Sequence, residues 1–209
     1  MANNSNNQAM NVNELADAMK KGAILLDTRA AELVEIGLIP GSIYIDTSIA
    51  VESLNWLHAD KKYIIIAEKG EENQIISNLA KSIHIIGYLA GSFDAWKQAD
   101  KRYDMIISID LEEFELDVNH TDIKIIDVRD EMAWKVSHLK KAIHIPITQI
   151  ANALTLLGKD DECLIYGHHS KESMMAVSYL RSNGYQRVKN VGANYDDIKI
   201  LPLTFEKNK

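Results

Sequence analysis

The chain has 209 residues, 46% hydrophobic and 25% charged, and 23 Lys+Arg against 30 Asp+Glu leave a net charge of −7. The acidity is even, −3 over residues 1–102 and −4 over 103–209, so nucleic acid, which selects clustered Lys and Arg, is not an expected partner. No apolar run approaches the roughly 20 residues of a spanning helix, and MANNSNNQAM lacks a signal peptide's basic and apolar regions, so neither a membrane nor export is expected. The single cysteine excludes an intrachain disulfide framework and fits a reducing, cytoplasmic setting.

Residues 1–10 are mostly Asn, Ser and Gln and read as a disordered tail. Asn11 with Glu14 then forms a capping pair for a first helix, with Leu15, Ala18 and Met19 as its apolar stripe and Gly22 at its end. Short Ile-rich runs follow at Ala23–Leu26, Ile43–Ile45, Ile64–Ala67 and Ile85–Tyr88, the pattern of strands buried on both faces. Helical lengths separate them at Ala30–Ile36, Ser48–His58, Glu71–Ile83 and Phe93–Ala99. The polar stretch Ala99–Asp104 is the expected boundary between two domains, spanning 11–101 and 105–203. After Ser108, the acidic first turn of Asp110, Glu112 and Glu113 suits a helix N-terminus.

The second half repeats the first. Leu26-Asp27-Thr28-Arg29 returns as Ile126-Asp127-Val128-Arg129, one hundred positions on. Tyr63–Ala67 matches Cys163–Gly167 at the same spacing, and Phe93-Asp94-Ala95-Trp96 corresponds to Tyr195-Asp196-Asp197-Ile198. Ordered matches over nearly the whole chain mean a duplicated domain. Strand–helix alternation in each copy predicts an α/β fold, a mostly parallel sheet flanked by helices, with ligand sites beyond the carboxyl ends of the strands.

Asp-x-Arg after a strand, Gly37-Leu38-Ile39-Pro40-Gly41-Ser42-Ile43, and the run Gly87–Trp96 together resemble rhodanese homology domains, over residues about 11–200. The first copy is most similar to the rhodanese domains attached to metallo-β-lactamase-fold persulfide dioxygenases. In the second, Lys140-Lys141, Ala193-Asn194 and Ile198 replace Pro-Gly, Gly-Gly and Trp. The resemblance implies a loop after the central strand that opens with a nucleophilic Cys, which carries sulfur as a persulfide. Here that position is Ala67 in one copy and Gly167 in the other, so no catalytic residue is expected in either. The family's Gly and Arg in the second loop are replaced by Ser170 and Glu172. In the first loop, Glu71 and Glu72 are expected to occupy the helix end that attracts anions.

The second loop, Gly167, His168, His169, Ser170, Lys171, Glu172 and Ser173, is the candidate site for a small oxyanion. A metal site drawing on His138 or His144 lacks diagnostic spacing, so no metal or other cofactor is expected. A hydrolase using Ser170 or Ser173 with one of the His pair is a further alternative. Asp27, Arg29, Asp127 and Arg129 read as supports that hydrogen-bond loop backbone. Phe93, Trp56, Trp96 and Trp134 read as packing residues, and Cys163, four residues ahead of the loop, as a structural thiol. The expected function is a non-catalytic binding or docking module. By resemblance its partner is a persulfide- or sulfide-handling enzyme. Alternatives are a weak sulfurtransferase using Cys163 and an oxyanion sensor using the 167–173 loop.

Overall fold

The computed structural model describes residues 8–49 and 54–207. They divide into two compact units, one ending at Met105 and the other beginning at Ile106. The first unit runs β1 (Gln8–Met10), α1 (Val12–Lys20), β2 (Ile24–Asp27), α2 (Ala31–Glu35), β3 (Ile43–Tyr44), β4 (Lys62–Ile66), α3 (Glu72–Leu79), β5 (His84–Leu89) and α4 (Ser92–Gln98). Its sheet has the order β1-β5-β4-β2-β3 and every pairing is parallel.

The second unit runs β6 (Ser108–Ile109), α5 (Leu111–His120), β7 (Lys124–Asp127), α6 (Glu131–Val136), β8 (His138–Leu139) and β9 (Ala142–His144). A 3-10 turn over Ile147–Asn152 leads into α7 (Ala153–Leu156), then β10 (Cys163–Tyr166), α8 (Ser170–Ser182), β11 (Val188–Val191), α9 (Tyr195–Ile198) and β12 (Phe205–Glu206). The parallel order β6-β11-β10-β7-β9 reproduces that of the first unit strand for strand. A small antiparallel pair, β8 with β12, is added. The duplication read from the sequence is therefore a duplication of topology.

The central strands explain the stability of each sheet. Ile64, Ile65 and Ile66 in β4, and Cys163, Leu164, Ile165 and Tyr166 in β10, are all 0% exposed, because helices cover both faces. Burying each such aliphatic side chain contributes about 1.5–3 kcal/mol. On one face of the first sheet, Ile64 and Ile66 meet Leu15, Leu25, Ile39, Leu89, Phe93 and Trp96. In the second unit Leu164 and Tyr166 pack with Phe114, Ile125, Val191, Tyr195 and Ile198. Helix α1 begins with a complete capping box: the Asn11 side chain accepts from the Asn13 and Glu14 amides, and the Glu14 carboxylate accepts from the Asn11 amide at 2.8 Å.

Several expectations need correction. The tail does not reach residue 10: Gln8–Met10 is the edge strand β1, paired with Gly87–Leu89, while residues 1–7 lie outside the described residues. Gly87 makes that pairing sterically feasible, since a Cβ there would stand 2.3 Å from the Gln8 carbonyl oxygen. The described part of Ser48–His58 is turns rather than helix, and residues 50–53 are outside the described set. The second unit continues beyond residue 203, because Phe205–Glu206 pairs with His138–Leu139. Of the acidic first turn expected after Ser108, Glu112 and Glu113 lie in α5, whereas Asp110 is its cap, with the carboxylate accepting from the Glu113 amide.

Candidate functional site

In each unit the loops leaving β2, β4 and β5, or β7, β10 and β11, emerge at the carboxyl edge of the sheet. A buried ion pair anchors that edge. In the first unit Arg29 forks onto Asp27, Nε to Oδ1 at 2.9 Å and Nη2 to Oδ2 at 2.6 Å. Nη2 also donates to the Gly37 carbonyl at 2.6 Å. In the second, Arg129 forks onto Asp127 and donates from Nη2 to the Ser137 carbonyl at 2.8 Å. Each Arg thus ties its strand end to a carbonyl eight residues ahead, across the following helix. Burial raises the Asp27 carboxyl above its usual range, against the hydrogen bond and charge of Arg29. An aromatic ring covers each guanidinium: Phe93 at 4.4 Å from Arg29 and Tyr195 at 3.3 Å from Arg129. The pair Phe93/Tyr195 is therefore equivalent by position and by contact.

Beside these anchors lie two clefts of similar size. The first, about 430 Å³, is lined by Arg29, Leu33, Ile36, Lys69, Phe93 and Tyr103. The second, about 420 Å³, is lined by Arg129, His168, His169, Asn194, Tyr195 and Lys199. Ala67 follows β4 and is buried, and Gly167 follows β10. The one thiol, Cys163, lies at the other end of β10, where burial pushes it up to about 11.

Carboxylates occupy loop amides in both units. Glu72 Oε2 accepts from the Gly70 amide at 2.8 Å, and Glu68 Oε1 accepts from Ala30 at 3.2 Å. Glu71 stands at the cap position of α3 without a side-chain cap bond, so the expected Glu71/Glu72 pair is corrected to Glu68 and Glu72. In the second loop Glu172 Oε2 accepts from the His168 amide at 2.7 Å. The candidate oxyanion loop thus already has one of its amides taken by a carboxyl group of its own chain. His168 ties three loops together: its amide to Glu172, its carbonyl to the Tyr195 amide at 3.1 Å, and its Nε2 to Asp130 Oδ2 at 2.9 Å. That imidazole holds the Asp130 carboxyl below its usual range, helped by the Ala133 amide.

The remaining loop residues do other work. His169 turns to Asn194, with Nδ1 3.3 Å from Oδ1. The Ser173 hydroxyl donates to Asn190 Oδ1 at 2.6 Å, and Ser170 Oγ accepts from Asn190 Nδ2 at 2.9 Å. Asn190 also donates to Ser108, so both serines belong to a polar ladder joining β6, β11 and α8, not to a His–Ser pair. Lys171 is exposed. His138 and His144 sandwich Trp134, with ring centroids 3.6 and 4.6 Å from it. Among the described residues no three His, Cys, Asp or Glu side chains are grouped as a metal site.

The family model for the rhodanese-like domain matches residues 11–99 and again 110–199. The chain belongs to the rhodanese-like domain family, in tandem form. Among curated relatives, the putative sulfur carrier protein YrkF of Bacillus subtilis is 30% identical over 87 residues, 41% of this chain and 47% of that protein. The thiosulfate sulfurtransferase GlpE of Coxiella burnetii is 27% identical over 99 residues, 47% of this chain and 92% of that protein. The tandem rhodanese-like chain spans about half the length of the Bacillus relative. Among solved structures, a thiosulfate sulfurtransferase from Pseudomonas aeruginosa aligns with 96% of this chain and 44% of its own, at 12% identity and a TM-score of 0.43. A rhodanese-like domain from Anabaena aligns with 49% of this chain and 80% of its own, at 24% identity and a TM-score of 0.46. Among the described residues of the rhodanese-like chain, no helix is long and apolar enough to cross a membrane.

Sequence reasoning missed the inward turn of Glu172 and the Trp134 sandwich. Both have sequence signals: a carboxylate five residues after a glycine that closes a strand, and a Trp-x-x-x-His spacing at the end of a helix.

Proposed function

We propose that this chain is a non-catalytic pair of rhodanese-like domains, a binding, regulatory or docking module in persulfide-linked sulfur metabolism. One observation carries the reading: the residues that open the two loops, Ala67 and Gly167, have no atom able to accept sulfur. The lone thiol does not substitute for one. Cys163 is 0% exposed, and four residues of extended strand put it about 13 Å from the loop. At about 11, its thiol is almost wholly protonated at neutral pH, and the thiolate is the nucleophilic form. Glu68 and Glu72 also place negative charge at the first loop, which repels an anionic sulfur donor, and the Glu172 carboxyl takes the His168 amide of the second. The sulfur setting is supported by the family and by the names of the YrkF and GlpE relatives, and a persulfide- or sulfide-handling enzyme is the partner proposed from that setting.

The test is thiocyanate formation from thiosulfate and cyanide by the full chain, beside Cys163→Ala, with mass spectrometry of the protein during incubation. The expected result is no turnover and no gain of a sulfur atom. Turnover abolished by Cys163→Ala would establish a sulfurtransferase instead. A saturable rise in melting temperature with thiosulfate or sulfate, lost in His168→Ala/His169→Ala, would favour an oxyanion sensor.

A further inference from the structure

Glu172 turns from the first turn of α8 back beneath its own loop, where Oε2 accepts from the His168 amide at 2.7 Å. A Cβ on residue 167 would stand 2.6 Å from Glu172 Oε2 and 3.0 Å from its Cβ, so the side chain fits there only because residue 167 is glycine. The surroundings are rich in negative charge. From the β7–α6 segment, Asp127 and Asp130 face it, and from the loop, His168. The basic groups nearby are committed elsewhere. Arg129 is forked onto Asp127, and the His168 ring is on Asp130. The His169 ring turns to Asn194, Lys199 pairs with Asp196, and Lys171, next on α8, is exposed. An ionised Glu172 therefore leaves this cluster with a carboxylate that lacks a cation of its own, held by one backbone N–H.

We propose that the Gly167–Glu172 contact is a proton-linked latch: with Glu172 protonated the loop after β10 stays shut, and when it ionises the side chain leaves for solvent and the loop opens. The sign follows from linkage. Burial, reinforced by Asp127 and Asp130 against the His168 amide and ring, raises the carboxyl above its ordinary 4.5. In solvent that value is restored, so opening releases a proton and is promoted as pH rises between the ordinary and the raised value. Opening frees the His168 amide toward the neighbouring cleft, which gives the second unit a binding surface whose shape depends on pH.

The experiment uses the full chain, from about pH 4 to about pH 8, a span that covers the ordinary glutamate and histidine values. The Glu172 side-chain carboxyl carbon is titrated by NMR, and the exchange protection factor of the His168 amide is followed alongside. The midpoint is expected above 4.5, and protection should fall up to about tenfold per pH unit until the raised midpoint is passed, then level. In Glu172→Gln, which keeps an acceptor oxygen but has no charge to release, that fall should vanish. In Gly167→Ala, which displaces the side chain, the midpoint should return to the ordinary value. A wild-type midpoint at or below 4.5, or the same pH dependence in Glu172→Gln, would overturn the latch. The Glu172→Gln comparison decides the matter even where Gly167→Ala fails to fold.

Discussion

Replacing Asp127 by Leu probes the anchor of the second unit. The Asp127 and Arg129 side chains are 0% and 2% exposed, so neither charge is relieved by water. Without the carboxylate, Arg129 keeps the Ser137 carbonyl at 2.8 Å and the Tyr195 face at 3.3 Å, and neither of these carries a countercharge. An uncompensated buried charge of this kind costs about 3–5 kcal/mol, a large fraction of the 5–15 kcal/mol that holds a typical domain folded. The double variant Asp127→Leu/Arg129→Met removes both charges and should lose clearly less than the two single variants together, with a coupling of at least about 2 kcal/mol. Urea unfolding of the full chain, followed through amide resonances of the second unit, gives all four corners of the cycle. A single Asp127→Leu cost below about 1 kcal/mol, or strict additivity, would refute the view that the pair is one electrostatic unit.

Other expectations follow from the same geometry. Gly167→Ala should cost about 0.5–1.5 kcal/mol through loss of the Glu172–His168 bond. In a Glu172→Ala background the same change should cost less, because the 2.6 Å conflict with Oε2 is gone and only the 3.0 Å approach to the residue-172 Cβ remains; urea melts of the four proteins give the difference. Gly167→Cys alone should form no thiocyanate, since its Cβ would meet Glu172 at 2.6 Å and the loop keeps its negative charge. Cys163 should resist a thiol reagent such as Ellman's in the native protein and react fully in denaturant, as a buried thiol pushed up to about 11 requires. Asp130 sits below its ordinary 3.8. The stability it gains from His168 should therefore be present above that value and disappear as pH falls through the folded one, which a comparison of Asp130→Asn with wild type across acid pH will read.

Much of the fold was legible because burial on both faces writes an unbroken apolar run. Ile24–Leu26, Ile64–Ile66 and Ile85–Ile86 all announce themselves in this way. Edge strands leave no such mark. Gln8–Met10 and Ser108–Ile109 are two or three residues long, and each lies against one neighbour, so polar Gln8 and Ser108 are tolerated and the pattern is lost. The candidate site divides along a similar line. The Asp-x-Arg repeat pointed to both anchors, since a charged pair at a strand end needs partners. Their long-range acceptors, Gly37 and Ser137, are backbone carbonyls, and no residue type at those positions reports them. The loop beyond β10 read as a receptor for anions because helix ends attract negative charge. In the structure the His168 amide is taken by Glu172 of the same chain, and the direction of one rotamer is not written in the order of residues.

The His138–Trp134–His144 sandwich has a practical consequence. The chain has three tryptophans, Trp56, Trp96 and Trp134, and Trp134 alone falls in the half that begins at Ile106. Ring stacking on both sides sets the surroundings of the indole, so the intrinsic fluorescence of a Trp56→Phe/Trp96→Phe protein becomes a private optical channel into the second unit. It would change as the stack separates, and so follow the unfolding of that half alone without any attached dye.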